Sequence, residues 1–184
     1  MAKRLTIRAV SSHPVQVNDI ADCLFAGLGI IGTTANCAGE LPLSMTPSGG
    51  ARNPFEAYMY VNRVDGLASG AYHYSAIDHS LGFVRSHNGL LPAGDLVGDQ
   101  DWMNEMACVI FLVGQLERSM WKYDDANAYR VVLIEAGHIA QNIMLAATEH
   151  NLTACPSAAL AHEKVNDCFR LKGIATAPIY ALGI

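Results

Sequence analysis

The sequence predicts an α+β fold in which helices pack on one sheet. Residues 107–113 (ACVIFLV) form an unbroken apolar run, as in a strand buried on both faces. Residues 55–61 (FEAYMYV) are aromatic and β-branched, which favours another strand. Residues 127–151 are rich in alanine and leucine, with Gly137 as their one breaker, and predict the longest helix. The predicted strands cluster between helical segments, which points to a single sheet carrying helices and to one domain over residues 1–184.

The remaining elements follow in chain order. Ile20, Leu24, Leu28 and Ile31 recur at helical spacing, so a helix is expected from a cap at Asn18 to about Ile31. Residues 32–52 are rich in Gly, Ser, Thr and Pro and predict a loop with one helical turn. Asp65-Gly66 and Ser69-Gly70 mark turns. Residues 71–74 and 81–85 predict short strands of a meander. Residues 162–171 predict a short helix, and residues 177–182 a closing strand.

Composition excludes several classes of function. The net charge is −5 and no basic run occurs, which argues against a nucleic-acid partner. Residues 1–17 lack the apolar block of a signal peptide. The longest apolar stretches are interrupted by Glu135, His138, Gln141 and Asn142 or by glycines, so no membrane span and a cytoplasmic location are expected. Cys23, Cys37, Cys108, Cys155 and Cys168 are odd in number and form no C-x-x-C pair. That disfavours a disulfide framework or a thiolate zinc site, and most are expected to be buried. His73, His79 and His87 lack ligand spacing, and His138 fits packing or an interface, so no metal site is expected. Hydrophobic residues make up 51% of the chain and charged ones 16%. Either the core is large or a partner covers part of the surface.

Four short segments carry possible chemistry. Arg4, Thr6 and Arg8 alternate, so an extended segment would turn two guanidinium groups and a hydroxyl toward one phosphate. On the pattern alone, a solvated basic N-terminus is the simpler reading. Residues 47–54 (PSGGARNP) combine two glycines, which let backbone N–H groups approach a ligand, with the donors Ser48 and Arg52. An ordinary Gly/Pro loop has the same composition. Glu135, His138 and Asn142 share a helix face, which also describes the solvent side of a buried helix. Lys122 stands beside Tyr123. In an apolar pocket a lysine is driven toward its neutral, basic form, and a neighbouring phenol relays protons. A surface lysine before Asp124 and Asp125 fits the same letters.

Taken together, these segments resemble one family. PSGGARNP, the strand FEAYMYV, the stretch VDGLASGAYHY at 64–74 and the helix YR…EAGHIAQN at 129–142 are similar, in order and spacing, to the SagB-type azoline dehydrogenases of the nitroreductase superfamily. The R-x-T-x-R start resembles that superfamily's R-x-S-x-R phosphate-binding entry.

The resemblance implies a mixed, mainly antiparallel sheet packed with helices, and a homodimer with FMN at its interface. Carried over, Arg4, Thr6 and Arg8 hold the phosphate and ribityl chain. Pro47, Ser48, Gly49 and Arg52 line the flavin from the other subunit. Gln141 also joins the cofactor site, and Pro156, Ser157 and Ala158 present backbone donors to the ring edge. Lys122 is implied as the base, assisted by Tyr123, in oxidation of thiazolines or oxazolines of a peptide or small molecule. The ring proton goes to the base and a hydride to the flavin, which oxygen then reoxidises.

The sequence departs from the family pattern in places. Leu5 stands where Arg is frequent, and Gly49-Gly50 where Ala-Gly is usual. Relatives continue past the last strand with a basic extension, so with the sequence ending at Ile184 weaker FMN binding or a smaller dimer interface is expected. No leader-recognition domain is evident, so either a biosynthetic partner protein that presents the substrate or a different substrate is expected. Two other readings stay open: an NAD(P)H-dependent nitro or quinone reductase, and a non-catalytic subunit of the same fold.

Overall fold

A computed structural model of the chain describes residues 3–11, 14–36 and 39–184. In chain order the elements are β1 (Val15–Gln16), α1 (Val17–Leu28), β2 (Ile30–Asn36), β3 (Gly39–Ser44), β4 (Phe55–Val61), β5 (Val64–Asp65), β6 (Gly70–Ser75) and β7 (Ser80–Ser86). There follow α2 (Ala93–Leu96), β8 (Cys108–Gln115), α3 (Leu116–Met120), α4 (Asn127–Glu149), β9 (Cys155–Ser157), α5 (His162–Phe169) and β10 (Thr176–Gly183). Tight 3-10 turns occupy Gly49–Ala51 and Asp101–Glu105.

Six strands form the main sheet in the order β7-β6-β4-β8-β10-β9, every neighbouring pair antiparallel. The apolar run read as a central strand is β8. Its side chains alternate between two cores, as the period of a strand requires. Ile110 and Leu112 face Ile20 and Leu24 of α1 and Ile139 and Ile143 of α4. Val109, Phe111 and Val113 face Leu96, Met103, Val165 and Phe169 on the other side. Both faces of β8 are therefore dry, which explains why its sequence does not alternate in polarity.

The strands expected at 55–61, 71–74, 81–85 and 177–182 and the helices expected at 127–151 and 162–171 are present, with ends shifted by one or two residues. The first helix differs from expectation. It opens at Val17 after extended Gln16, with no side-chain cap, so Asn18 lies in its first turn rather than capping it. It closes at Leu28, where the Gly29 N–H bonds the Phe25 carbonyl at 2.7 Å. Ile31 belongs to the next strand. Residues 32–36 and 39–44, expected as loop, are strand, with β2 paired antiparallel on β3, and the helical turn expected within 32–52 lies at Gly49–Ala51. The β-branched Ile30, Ile31, Thr33 and Thr34 favour the strand, and the Gly/Pro count masked them. β1, β5, β9, α2 and α3 escaped sequence reading because two to five residues show no periodicity.

Cys23, Cys108, Cys155 and Cys168 are free and buried; Cys37 lies outside the described residues. α4 is long and apolar enough to cross a membrane by length and composition. Here Val132, Ala136, Ile139, Ala140, Ile143 and Ala147 make it a packing helix against α1 and the sheet. Its opposite face leaves Tyr129, Leu133 and Ile134 exposed around Gly137, whose Cα has open space before it.

Ile110 is fully buried at the middle of the sheet. Ile110→Ala is expected to lower unfolding free energy by about 2–5 kcal/mol, read from urea denaturation with an unchanged m-value.

Candidate functional site

The residues singled out in the sequence fall into two sets. The first set sits at the start of β8. Thr6 makes a parallel bridge to Ala154, which lays the N-terminal arm beside the strand that begins at Cys155. The Arg8 guanidinium lies 5.3 Å over the Trp102 ring, and Arg4 is half-buried. Pro156, Ser157 and Ala158 continue from that strand. The Ser157 hydroxyl accepts from Gln100 Nε2 at 2.9 Å and from the Ala159 N–H at 3.2 Å. The parallel bridge thus sets Thr6 and Arg8 alongside the strand that begins at Cys155.

The second set gathers at the other end of β8. Cys155 pairs with Gly183, which pairs with Val109, whereas the 47–54 loop leads into Phe55 opposite Gly114. Five residues of strand separate Val109 from Gly114, about 17 Å at the strand rise.

The loop in this second set is bent sharply. Gly50, Ala51 and Asn53 all adopt left-handed backbone, with φ of 64°, 54° and 44°. Only Gly50 does so without steric cost; for an L-residue such as Ala51 the penalty is roughly 1–2 kcal/mol. Hydrogen bonds over-determine the shape. The Asn53 N–H donates to Ser48 Oγ at 2.8 Å and its Nδ2 to the Pro42 carbonyl at 2.7 Å. Ser44 Oγ donates to Asn53 Oδ1 at 2.8 Å. Arg52 Nε donates to the Gly50 carbonyl at 3.1 Å. Non-glycine residues held in such backbone regions collect at functional sites.

Lys122 and Tyr123 lie against this loop. A Cβ placed on Gly50 would stand 2.3 Å from Lys122 Nζ, and one on Gly49 3.8 Å from the Tyr123 ring. Gly50 is therefore the seat of the Lys122 amine. That amine also lies 5.4 Å over the Tyr123 ring, and the Arg52 guanidinium lies 5.0 Å over Trp121. Buried Ser119 holds the turn: its carbonyl accepts from the backbone N–H groups of Lys122 and Tyr123 at 3.1 and 3.0 Å. Lys122 itself is exposed, so the apolar pocket expected around it is not built by one chain.

Four residues outside the predicted site support this set. Arg118, on α3, donates to the Asn53 carbonyl at 3.1 Å and pairs with Glu56 Oε1. His73 Nε2 lies 2.9 Å from Glu56 Oε2. Those two partners, the His73 bond first, hold the Glu56 carboxyl down at about 2 despite partial burial. Arg118 thus ties the segment bearing Lys122 to the glycine loop. The fourth, Glu135, is buried at 5% exposure, and its carboxylate accepts from the Gly49 N–H at 3.3 Å and from the Ser48 hydroxyl. Burial raises the Glu135 carboxyl above its ordinary value, and those two bonds only partly offset it. The signal for Glu135 was present in the sequence as a carboxylate seven residues before Asn142 on an apolar helix. Asn142 reaches Thr46 Oγ1 at 3.1 Å, on the same loop.

Gln141 is not drawn to either set. It lies on the exposed face of α4 with Leu133, Ile134 and Gly137. Beside α3, an open groove of about 1240 Å³ runs between Leu116, Met120 and Trp121 and the 172–176 segment. Met120, Trp121 and Ile174 are largely exposed along it.

Residues 1–184 match the model of the nitroreductase family. The chain belongs to that family. It is 26% identical over 172 residues to MJ1384 of Methanocaldococcus jannaschii, named as a nitroreductase, covering 94% of this chain and 83% of that protein. It is 33% identical over 113 residues to the trifolitoxin-processing protein TfxB of Rhizobium leguminosarum bv. trifolii, covering 59% of this chain and 30% of TfxB. Its fold is shared with a nitroreductase-like protein of Anabaena variabilis (TM-score 0.80, 24% identity, 90% of this chain and 34% of that one). The Escherichia coli microcin synthetase McbBCD complex, solved with truncated pro-MccB17 bound, contains a chain of the same fold (TM-score 0.78, 20% identity, 98% of this chain and 68% of that one). The mixed α+β fold with a large antiparallel sheet is the nitroreductase fold, as the sequence implied.

The Glu56 interactions set a pH dependence. Its folded value of about 2 lies below the ordinary 4.5, so its stabilisation is complete above pH 4.5 and lost as pH falls toward 2. Glu56→Gln is expected to remove that slope, on the order of 1 kcal/mol after solvent screening, in urea titrations across that range.

Proposed function

We propose that residues 1–184 form a single FMN-dependent oxidoreductase domain, working as a cytoplasmic homodimer, that oxidises thiazoline- or oxazoline-type rings of a peptide in the manner of SagB-type dehydrogenases. The observation that carries this reading is the Lys122 amine seated over Gly50 of a strained donor loop, with Tyr123 against Gly49. A flavin fits the donor sets on this chain. Two arginines and a hydroxyl on the arm suit a phosphate, and a Cβ on Gly49 or Gly50 would collide with Val131 or Lys122, so the two glycines let the Lys122 segment close against the loop. Arg4, Thr6 and Arg8 with residues 156–158 would hold FMN from one subunit, and Pro47, Ser48, Gly49 and Arg52 from the other. FMN supplies a two-electron acceptor when bound.

The residues of the chain do the rest. The Lys122 amine takes the acidic ring proton of the substrate. Tyr123 orients that amine through its ring and shares the proton. The partner subunit and substrate exclude water from Lys122, which one chain leaves open. The groove at Met120, Trp121 and Ile174 gives an extended peptide apolar surface next to the base. Two relatives by name process trifolitoxin, and one structural neighbour belongs to a microcin synthetase, which supports a peptide substrate and a biosynthetic partner protein.

Purified protein with added FMN is expected to show the near-ultraviolet and blue bands of bound oxidised flavin. Lys122→Ala should keep those bands and lose azoline oxidation by about 10²–10⁴-fold. Unchanged turnover in that variant would remove Lys122 as base. Nitro or quinone reduction by NAD(P)H without azoline turnover would move the chain to the reductase reading. No flavin uptake at excess FMN would leave a non-catalytic subunit.

The exposed apolar face of α4 supports the homodimer. Ile134→Asp is expected to convert a dimer to a monomer in analytical ultracentrifugation and to weaken FMN binding with it. A monomeric wild type would rule out the proposed interface.

A further inference from the structure

We propose that Glu135 is a positioning residue: from α4 its carboxylate fixes the strained loop at residues 48–53, and so aims the backbone donors and the seat of Lys122. As it bears on the cofactor, this rests on the FMN reading above; as it bears on the loop, it stands on geometry alone.

The geometry runs through one chain of hydrogen bonds. The two carboxylate oxygens give Glu135 enough acceptor sites for two donors at once. One donor is the Gly49 N–H at 3.3 Å, the other the Ser48 hydroxyl. Ser48 Oγ, beside the Glu135 carboxylate, accepts from the Asn53 N–H at 2.8 Å. Asn53 is the left-handed residue that closes the loop, and its carbonyl is bonded by Arg118. A carboxylate that never touches Asn53 thereby fixes it through the serine. Arg52 and the Lys122 amine both contact Gly50, the residue next to Gly49.

A carboxylate in this place is poor structural material. It is 5% exposed and has no cation against it among the bonds of the described residues. The titratable groups that share its cavity or contact its loop are Arg52 on the loop itself, Glu56 on β4, His73 and Tyr74 on β6, and Arg118, Lys122 and Tyr123 after β8. α1 contributes only Gly27 and Leu28 there. Burial raises the carboxyl above its ordinary value, so the ionised form is disfavoured in the fold and stability falls as pH rises past that ordinary value. A residue kept for packing would be apolar here. Strain and burial that cost stability are the mark of a position held for function.

The test uses Glu135→Leu and Glu135→Gln. Leucine removes both acceptors; the amide presents one acceptor end instead of two. In the FMN-free protein, hydrogen exchange of the Asn53 amide is expected to quicken by about tenfold or more in Glu135→Leu, and less in Glu135→Gln. The unfolding midpoint at mildly alkaline pH should stay level or rise. Ser48→Ala should give the same Asn53 effect, and the double variant no more, since the two act through one bond. With FMN present, Glu135→Leu should bind it at least about tenfold more weakly. Unchanged Asn53 exchange in both variants, or a lower midpoint with additive Ser48→Ala, would make Glu135 merely structural and overturn the proposal. A wild type that binds no FMN defeats the FMN reading alone, because the exchange measurement still decides the role of Glu135 in the loop.

Discussion

The candidate site depends on a backbone that the chain adopts against its own preference. Three of the four residues at 50–53 sit in the left-handed region, and two of them carry a Cβ. Left to itself such a loop would relax to ordinary turn geometry. It holds because every polar group of Asn53 is bonded: its N–H to Ser48, its side chain to Pro42 and Ser44, its carbonyl to Arg118. Those partners come from a hairpin and a helix that pack on different edges of the loop. The hairpin β2–β3 therefore has a purpose its isolation from the main sheet does not reveal. It makes the wall against which the loop is braced.

Two rigid bodies meet at this brace. One is the sheet, whose central strand leads directly into α3 and so fixes where Arg118, Trp121 and Lys122 stand. The other is α4, which reaches the same loop twice on one face, through Glu135 and Asn142. Both residues stand among buried alanines and isoleucines, so their positions are set by core packing rather than by flexible chain. Placing side chains on packed elements and letting them hold a strained loop gives finer positioning than the loop could supply alone.

Much of the fold was legible because the sheet and α4 are long enough to show their periods. β8 is apolar on both faces, and α4 keeps a helical stripe for 23 residues. The hairpin was missed for a physical reason: glycines and prolines in residues 32–44 signal turns, and the β-branched residues between them form a ribbon that buries little and so lacks a clear alternation. The site was legible in part. Residues 47–54 and 122–123 are 68 positions apart in sequence between Pro54 and Lys122, yet the fold sets them in contact. Arg118 and Glu56 were not legible, because an ion pair between a strand and a helical turn leaves no local pattern.

Glu135 shows where reading from pattern reaches its limit. On a helical wheel it shares a face with Asn142, and a polar pair on an apolar helix reads first as the solvent side. Burial reverses that meaning. On the inner face Glu135 accepts from the Gly49 N–H, and Asn142 donates through Nδ2 to Thr46 Oγ1. The outer face of α4, which pattern alone would assign to solvent, carries Tyr129, Leu133 and Ile134 instead. The inner face of α4 stays apolar, with Glu135 and Asn142 as polar exceptions aimed at the loop, while the outer face mixes Tyr129, Leu133 and Ile134 with exposed Arg130, His138 and Gln141. The apolar members of that outer face cost a monomer some exposed apolar area, which a second surface would cover. The inner polar pair and the exposed outer apolar residues both follow from where α4 lies, packed on the core through one face beside the loop it contacts and open on the other.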